Sequence, residues 1–277
     1  MKPVSREVVR IAASMTVACA AGAAILGVVY VATDRYREAS TLRTEREAVA
    51  TMLGIDSTTT VVEVRQYLEP ARREVIYRAA PFGVPGAEGR EVVFGLDGAL
   101  VGAHALPAGE PVAKTLEPLG RVFVAIRDGR AAGFVVEGEA RGYKNFIRFF
   151  VALRGDFEVA GVRVIQHEED PGLGAEVATG WFDGQYVGRS AEEVARLEVT
   201  RDPMPEDWRA ALVALSRRAP GSGAVHDSLL ARERAKPIYA VTGATISSRA
   251  VTDGVRVTVE HFRRRWALLA PHLGGMA

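Results

Sequence analysis

Residues 11–32 carry no charged side chain. About 20 apolar residues suffice to cross a bilayer core as a helix, so this run predicts one membrane span. Residues 34–53 turn polar, with Leu42, Val49 and Met52 on a loose stripe and Gly54 behind them. That pattern predicts a helix continuing from the span and stopping at the glycine. Residues 57–67 give a short, ambiguous element, and Pro81, Gly83, Pro85 and Gly86 mark a loop. From residue 91 the period changes to two. Runs 91–96 and 99–106 flank Asp97-Gly98, and runs 121–127 and 130–137 flank Asp128-Gly129. Runs 146–153 and 157–166 flank Arg154-Gly155-Asp156. Asp-Gly between alternating β-branched runs predicts hairpins, and three in succession predict an antiparallel sheet. A helix is expected over 202–218, with Trp208, Leu212 and Leu215 on one face, and a loop over 219–223. Val251, Val255, Val259, Phe262, Trp266 and Leu269 recur at spacings of four and three, which predicts an amphipathic helix over 247–269. Arg263, Arg264 and Arg265 sit in its later turns as a solvated face. The expected fold class is α+β: one N-terminal span, then antiparallel hairpins with packed helices. The expected divisions are 1–33 (tail and anchor), 34–89 (helical linker and start of the soluble part) and 90–277 (main domain).

Composition narrows the chemistry. The formal net charge of +1 gives no reason to expect nucleic acid as a partner. Only four of the 35 basic residues are lysines, a bias read as genomic. The single cysteine, Cys19, excludes a cysteine-ligated iron–sulfur cluster, a CxxCH haem site and a structural cysteine–zinc site. The five histidines lack metal-ligand spacing. A chain of this composition that moved electrons would need an organic cofactor.

Within the span, Ala20, Ala21, Gly22, Ala23 and Ala24 would let a neighbouring helix approach closely. Two alternatives to a retained anchor stand beside it. A cleavable signal peptide would have a shorter apolar core of about 7–15 residues. A lipid-attached Cys19 would follow from Thr16-Val17-Ala18-Cys19, but the apolar run continues past it. Charge does not decide orientation, because Lys2, Arg6 and Arg10 precede the run and Arg35, Arg37, Arg43 and Arg46 follow it.

The segment with most chemical content is Thr242-Gly243-Ala244-Thr245, just ahead of the amphipathic helix. A helix N-terminus offers unpaired N–H groups and the positive end of the dipole to a phosphate. Thr242, Thr245, Ser247 and Ser248 supply hydroxyls as caps or phosphate ligands, and Gly243 and Ala244 leave room for a bulky group. A threonine hydroxyl is a weak nucleophile without activation, and no histidine or cysteine lies near in sequence. Attachment of a group would therefore need an outside enzyme. The competing reading is an ordinary Thr/Ser-rich cap.

Thr242-Gly243-Ala244-Thr245-Ile246-Ser247-Ser248 resembles the flavinylation motif of the RnfG/NqrC family, membrane-anchored subunits of ion-translocating electron-transfer complexes. Gly142-Tyr143 resembles that family's Gly-Tyr element, and residues 167–174, His-Glu-Glu-Asp-Pro-Gly-Leu-Gly, resemble its loop beside the flavin. The resemblance covers most of the chain in the expected order. It implies FMN joined through its phosphate to Thr245, installed by an FAD-dependent flavin transferase of the ApbE type. It also implies an FMN-binding domain outside the cytoplasm, tethered to the inner membrane among the other membrane subunits of an Rnf/Nqr-type complex. Thr242, Gly243, Ala244 and Ser247 would surround the attachment point, and Glu169, Gly172, Leu173 and Gly174 the ring. Thr242, Asp170 and Tyr239 stand where the family usually has serine, threonine and aspartate.

Three functions follow as expectations. The first is an electron carrier in which the cofactor holds the chemistry, with no catalytic acid–base pair. The second is a non-redox membrane-anchored sensor or assembly module with Thr242–Thr245 as a plain cap. The third, a hydrolase, is weak because His167 beside Glu168 and Glu169 lacks a nucleophile; a structural hydrogen bond suits this histidine better.

Overall fold

The computed structural model describes residues 6–54, 59–84, 86–217 and 222–273. Lys2, Pro85 and most of the expected 219–223 loop fall outside them. Helix α1 spans Arg6–Leu53, and Gly54 follows it at φ 58°. Its stretch Ala13–Val31 is long and apolar enough to cross a membrane, and none of that window is buried by protein. The chain divides into two compact units, Met1–Ala50 and Thr51–Ala277.

The second unit is built on an eight-stranded antiparallel sheet: β1 (Thr60–Glu69), β2 (Glu74–Pro81), β3 (Gly89–Gly95), β4 (Leu100–Leu106), β5 (Glu117–Arg127), β6 (Arg130–Arg141), β7 (Phe146–Arg154) and β8 (Val159–Gln166). The spatial order is β4-β3-β2-β1-β5-β6-β7-β8, so the chain runs outward from β1 to one edge and then returns beside β1 to build the other half. The three expected hairpins are β3–β4, β5–β6 and β7–β8. In the second, Asp128 and Gly129 take φ 51° and 69°, the left-handed pair that matches a two-residue turn to strand twist.

The ambiguous element at 57–67 is corrected to a full strand, β1, hairpinned to β2. That turn contains no glycine or asparagine, and Arg73 takes the left-handed conformation at φ 57°.

After β8 come a 3-10 turn (Gly174–Ala178), α2 (Gly180–Asp183), a second 3-10 turn (Gly184–Tyr186) and α3 (Ala191–Val194). Ser190 and Glu193 close α3 with a reciprocal capping box. Strand β9 (Val199–Thr200) pairs in parallel with β10 (Ile238–Tyr239), and α4 (Glu206–Ser216) and α5 (Ser222–Glu233) lie between them in sequence. Helix α4 begins four residues later than expected. Proline lacks the N–H a helix needs, and Pro205 is an extended cap at ψ 136°. Helix α5 has no counterpart among the expected elements.

The last helix, α6, spans Thr245–Leu273, longer than expected at both ends. Its buried face is the expected one: Val251, Val255, Val259, Phe262 and Leu269 pack with Phe134, Val136 and Phe149 of the sheet. Burying each such side chain contributes about 1.5–3 kcal/mol, so this stripe fixes the helix on the sheet. Gly254 allows the close approach, since a Cβ there would stand 2.7 Å from the Phe149 ring and 2.9 Å from Ala140. Arg263 and Arg264 face solvent and pair with Glu192 and Glu260, whereas Arg265 is half-buried and donates to Gln66.

Candidate functional site

The β9–β10 pair carries the chain directly into the turn ahead of α6. Gln185 holds β10 from behind: its amide donates to the Tyr239 carbonyl at 3.2 Å, and its carbonyl accepts from the Tyr239 N–H at 2.8 Å. Tyr239, at the departing position, is buried and donates its hydroxyl to Glu233 at 3.1 Å. Burial, then the neighbouring Glu233 carboxylate, push this phenol up to about 12. The turn itself closes through the Ala244 N–H on the Val241 carbonyl at 3.0 Å. Gly243 takes φ 80°, which a side chain would strain.

The four hydroxyls of this segment divide into two pairs. Ser248 is fully buried; its Oγ accepts from the Val241 N–H at 3.0 Å and donates to the Ala244 carbonyl at 3.0 Å. Ser247 is equally buried and donates to Glu169. Thr242 is exposed and Thr245 half-buried, and neither hydroxyl bonds to any described residue. Ser247, expected beside the attachment point, thus lies on the protein-facing side of the turn with Glu169.

Glu169 explains the loop over 167–174. It is 5% exposed and accepts from the Lys144 N–H at 2.9 Å as well as from Ser247. Two glycines of the sequence motifs make room for it. A Cβ at Gly142 would meet Glu169 Oε1 at 2.5 Å, and one at Gly174 would meet Oε2 at 2.5 Å. One carboxylate therefore ties the Gly-Tyr turn, the loop and the start of α6 together. Beside it Lys144 Nζ reaches Asp170 at 2.5 Å, which raises the lysine's pKa and offsets the charge Asp170 brings to the loop. His167 Nδ1 is buried without a hydrogen bond, so the expected structural bond is absent at that atom.

Thr245 opens into a cleft of about 550 Å³, within the usual range for small-molecule sites. Thr242, Gly243 and Gly172 share its rim; Leu173 is half-exposed beside Gly243, while Glu169, Gly174, Ala244 and Ser247 are not among its lining residues. The opposite wall comes from parts that periodicity did not single out: Trp181 on α2, Arg201, Pro203 and Met204 after β9, and Arg209 on α4. The Arg209 guanidinium lies 4.9 Å from the centre of the Trp181 ring, a cation–π contact. Trp181 Nε1 is buried and has no hydrogen-bond partner among the described residues. Glu176 and Asp202 add negative charge at the edge.

These features fit a phosphorylated aromatic cofactor. The first turn of α6 leaves N–H groups without intrahelical partners, and Arg201 and Arg209 add positive charge for a phosphate. Trp181, Pro203 and Met204 supply flat or apolar surface, and the orphaned indole N–H is a donor in search of an acceptor. Among the described residues no cluster of side chains could hold a metal ion.

Comparison with known proteins agrees. Residues 142–260 match the family model of the FMN-binding domain. The chain is 26% identical over 194 residues to the G subunit of the Na(+)-translocating ferredoxin:NAD(+) oxidoreductase complex of Acetobacterium woodii, covering 70% of this chain and 72% of the relative. It is 33% identical over 155 residues to the G subunit of the ion-translocating oxidoreductase complex of Cereibacter sphaeroides, covering 54% of this chain and 57% of the relative. The crystal structure of Shewanella oneidensis NqrC aligns with 84% of this chain and 99% of its own at 16% identity, with a TM-score of 0.48. The matched FMN-binding region encloses the glycine turn, the braced loop and the threonine at the head of α6, and over it the chain is similar to the G subunits of ion-translocating oxidoreductase complexes.

Proposed function

We propose that this protein is a membrane-anchored electron carrier in which FMN is esterified through its phosphate to Thr245, working within an Rnf/Nqr-type ion-translocating complex. The observation that carries the reading is the state of the hydroxyls: Ser247 and Ser248 are committed to the protein, and Thr245 alone is both half-buried and uncommitted on the cleft. A bound flavin would supply reversible electron transfer. The chain's own residues would position and shield it. Arg201 and Arg209 would balance the phosphate charge, the Trp181 N–H would donate to a polar edge, and the Glu169 brace would hold the Gly172 rim in place.

No histidine, cysteine or carboxylate is bonded to the Thr245 hydroxyl, which supports attachment by an external ApbE-type transferase using FAD. The apolar stretch of α1 would be the tether, with the remaining domain on the extracytoplasmic side, where a lost cofactor is hard to replace. Other membrane subunits would be the partners, as the names of the relatives suggest.

Mass spectrometry of the protein from cells with an active transferase tests this. The peptide holding Thr245 should carry one FMN residue, and a denatured gel band should fluoresce under ultraviolet light. An unmodified peptide from such cells would favour the sensor or assembly-module reading.

A further inference from the structure

Sixteen positions beyond Thr245, roughly 24 Å along the axis at 1.5 Å per residue, α6 roofs a second cavity against the sheet. Its inner chamber of about 160 Å³ is walled by Val64, Val122, Val124, Val136, Phe262 and Leu269. It leads to a wider polar mouth of about 540 Å³, the two sharing Gln66, Leu119, Gly120, Arg121, Glu137 and Gly138. The mouth lies where the β1–β5 register shifts between Gln66 and Tyr67, a β-bulge that leaves Leu119 unpaired and half-exposed.

Two donors meet at the chamber. Tyr77 is 8% exposed, lines the chamber, and its hydroxyl makes no hydrogen bond to a described residue. Its ring is fixed edge-on to Phe94, with centroids 5.9 Å apart. The ring is buried but the hydroxyl is not sealed off, so an acceptor that enters the chamber can take the place of water on it. Arg265 donates to Gln66 at 2.5 Å, one of the five N–H groups of its guanidinium. Around chamber and mouth, the guanidinium groups of Arg65, Arg121, Arg148 and Arg265 outnumber the carboxylates of Glu63, Glu137 and Glu139. Burial opposes the charge on Glu137, but Arg121 and Arg148 outweigh it and hold that carboxyl below its usual range. The remaining balance favours an anion.

The geometry points to a binding site for a single-ring aromatic carboxylate, with the ring in the valine-lined chamber and the carboxylate accepting from the Tyr77 hydroxyl and Arg265. The size agrees: an apolar cavity of about 150 Å³ is known to hold benzene. The pairing of a valine-walled chamber with a cationic entrance would select a charged ring over a neutral one.

Benzoate is the probe. The full flavin-loaded chain in detergent, titrated with benzoate and followed by saturation-transfer NMR, should show saturable binding at millimolar concentration or below. Tyr77→Phe should weaken it about tenfold or more, the loss of one hydrogen bond to a charged acceptor. Arg265→Gln should weaken it about tenfold or more and abolish the preference for benzoate over benzamide. Val257→Trp, on the exposed side of the lining, should block entry while leaving the fold intact, so the test survives if the Tyr77 variant does not fold. Flavin fluorescence from Thr245 should be unchanged in all three variants, which separates this site from the first. No saturable binding at millimolar benzoate, or equal binding by the Val257→Trp chain, would overturn the assignment.

Discussion

The first turn of α6 has two sides made from the same residue types, and they differ in one respect. On the inner side Ser247 and Ser248 are buried, and both hydroxyls are engaged, with Glu169 and with the turn's own backbone. On the outer side Thr242 and Thr245 present hydroxyls that bond to nothing described. The engaged pair supplies rigidity, and the free pair includes the oxygen proposed to carry the flavin. The Thr245 oxygen is left uncommitted while its neighbours two and three residues on hold the backbone beneath it.

This contrast can be broken from either side. The largest effect should come from Thr245→Ala, which should abolish covalent flavin loading completely while leaving the thermal midpoint close to that of the flavin-free wild-type chain, since no protein hydrogen bond is lost. Intact mass and differential scanning calorimetry of the two proteins read this directly. Next comes Glu169→Ala, which strands the buried Ser247 hydroxyl and the Lys144 amide. It should cost about 2–4 kcal/mol in urea unfolding, with Thr245 still present and flavin loading reduced through loss of the rim. A variant that unfolds at the wild-type urea midpoint would show that the brace is idle.

The phenol behind the turn gives a pH-dependent test. The folded state holds Tyr239 neutral up to about 12, against an ordinary value of 10.0. Its contribution to stability is therefore complete below pH 10 and is lost as the pH rises through the folded value. Tyr239→Phe should make the alkaline fall in melting temperature shallower than in the wild type, and identical slopes would mean the Glu233 contact does not matter. The smallest effect belongs to Thr242→Ala: an exposed, unbonded residue whose removal should change stability by less than about 0.5 kcal/mol. A larger loss would move Thr242 to the engaged side of the comparison.

The parts of this molecule that could be read from residues alone are those in which local chemistry and final environment agree. Asp97-Gly98 and Asp128-Gly129 announced their hairpins because the turns use the conformations those residues favour. The β1–β2 turn escaped because Arg73 adopts a left-handed conformation without a glycine to advertise it. Helix α5 escaped for another reason. Its buried positions Ser222, His226, Leu230 and Glu233 follow helical spacing, but three of the four are polar, so no apolar stripe appears. They are buried through particular partners, His226 against Trp208 and Glu233 against Tyr239 and Arg232. Thr245 could be singled out because its neighbours form a compact motif. The facing wall could not, because Trp181, Arg201 and Arg209 come from separate segments that meet only in the folded chain.

Glu169 also sets an order of events. Its two attachments, at residues 144 and 247, lie about 100 positions apart, and the second arrives with the final helix. Until the start of α6 has been synthesised and docked, the carboxylate lacks its seryl donor and Thr245 is not yet set against the Trp181 and Arg209 wall. On the proposed reading, a transferase that requires the finished rim would therefore ignore chains that have not yet added the start of α6.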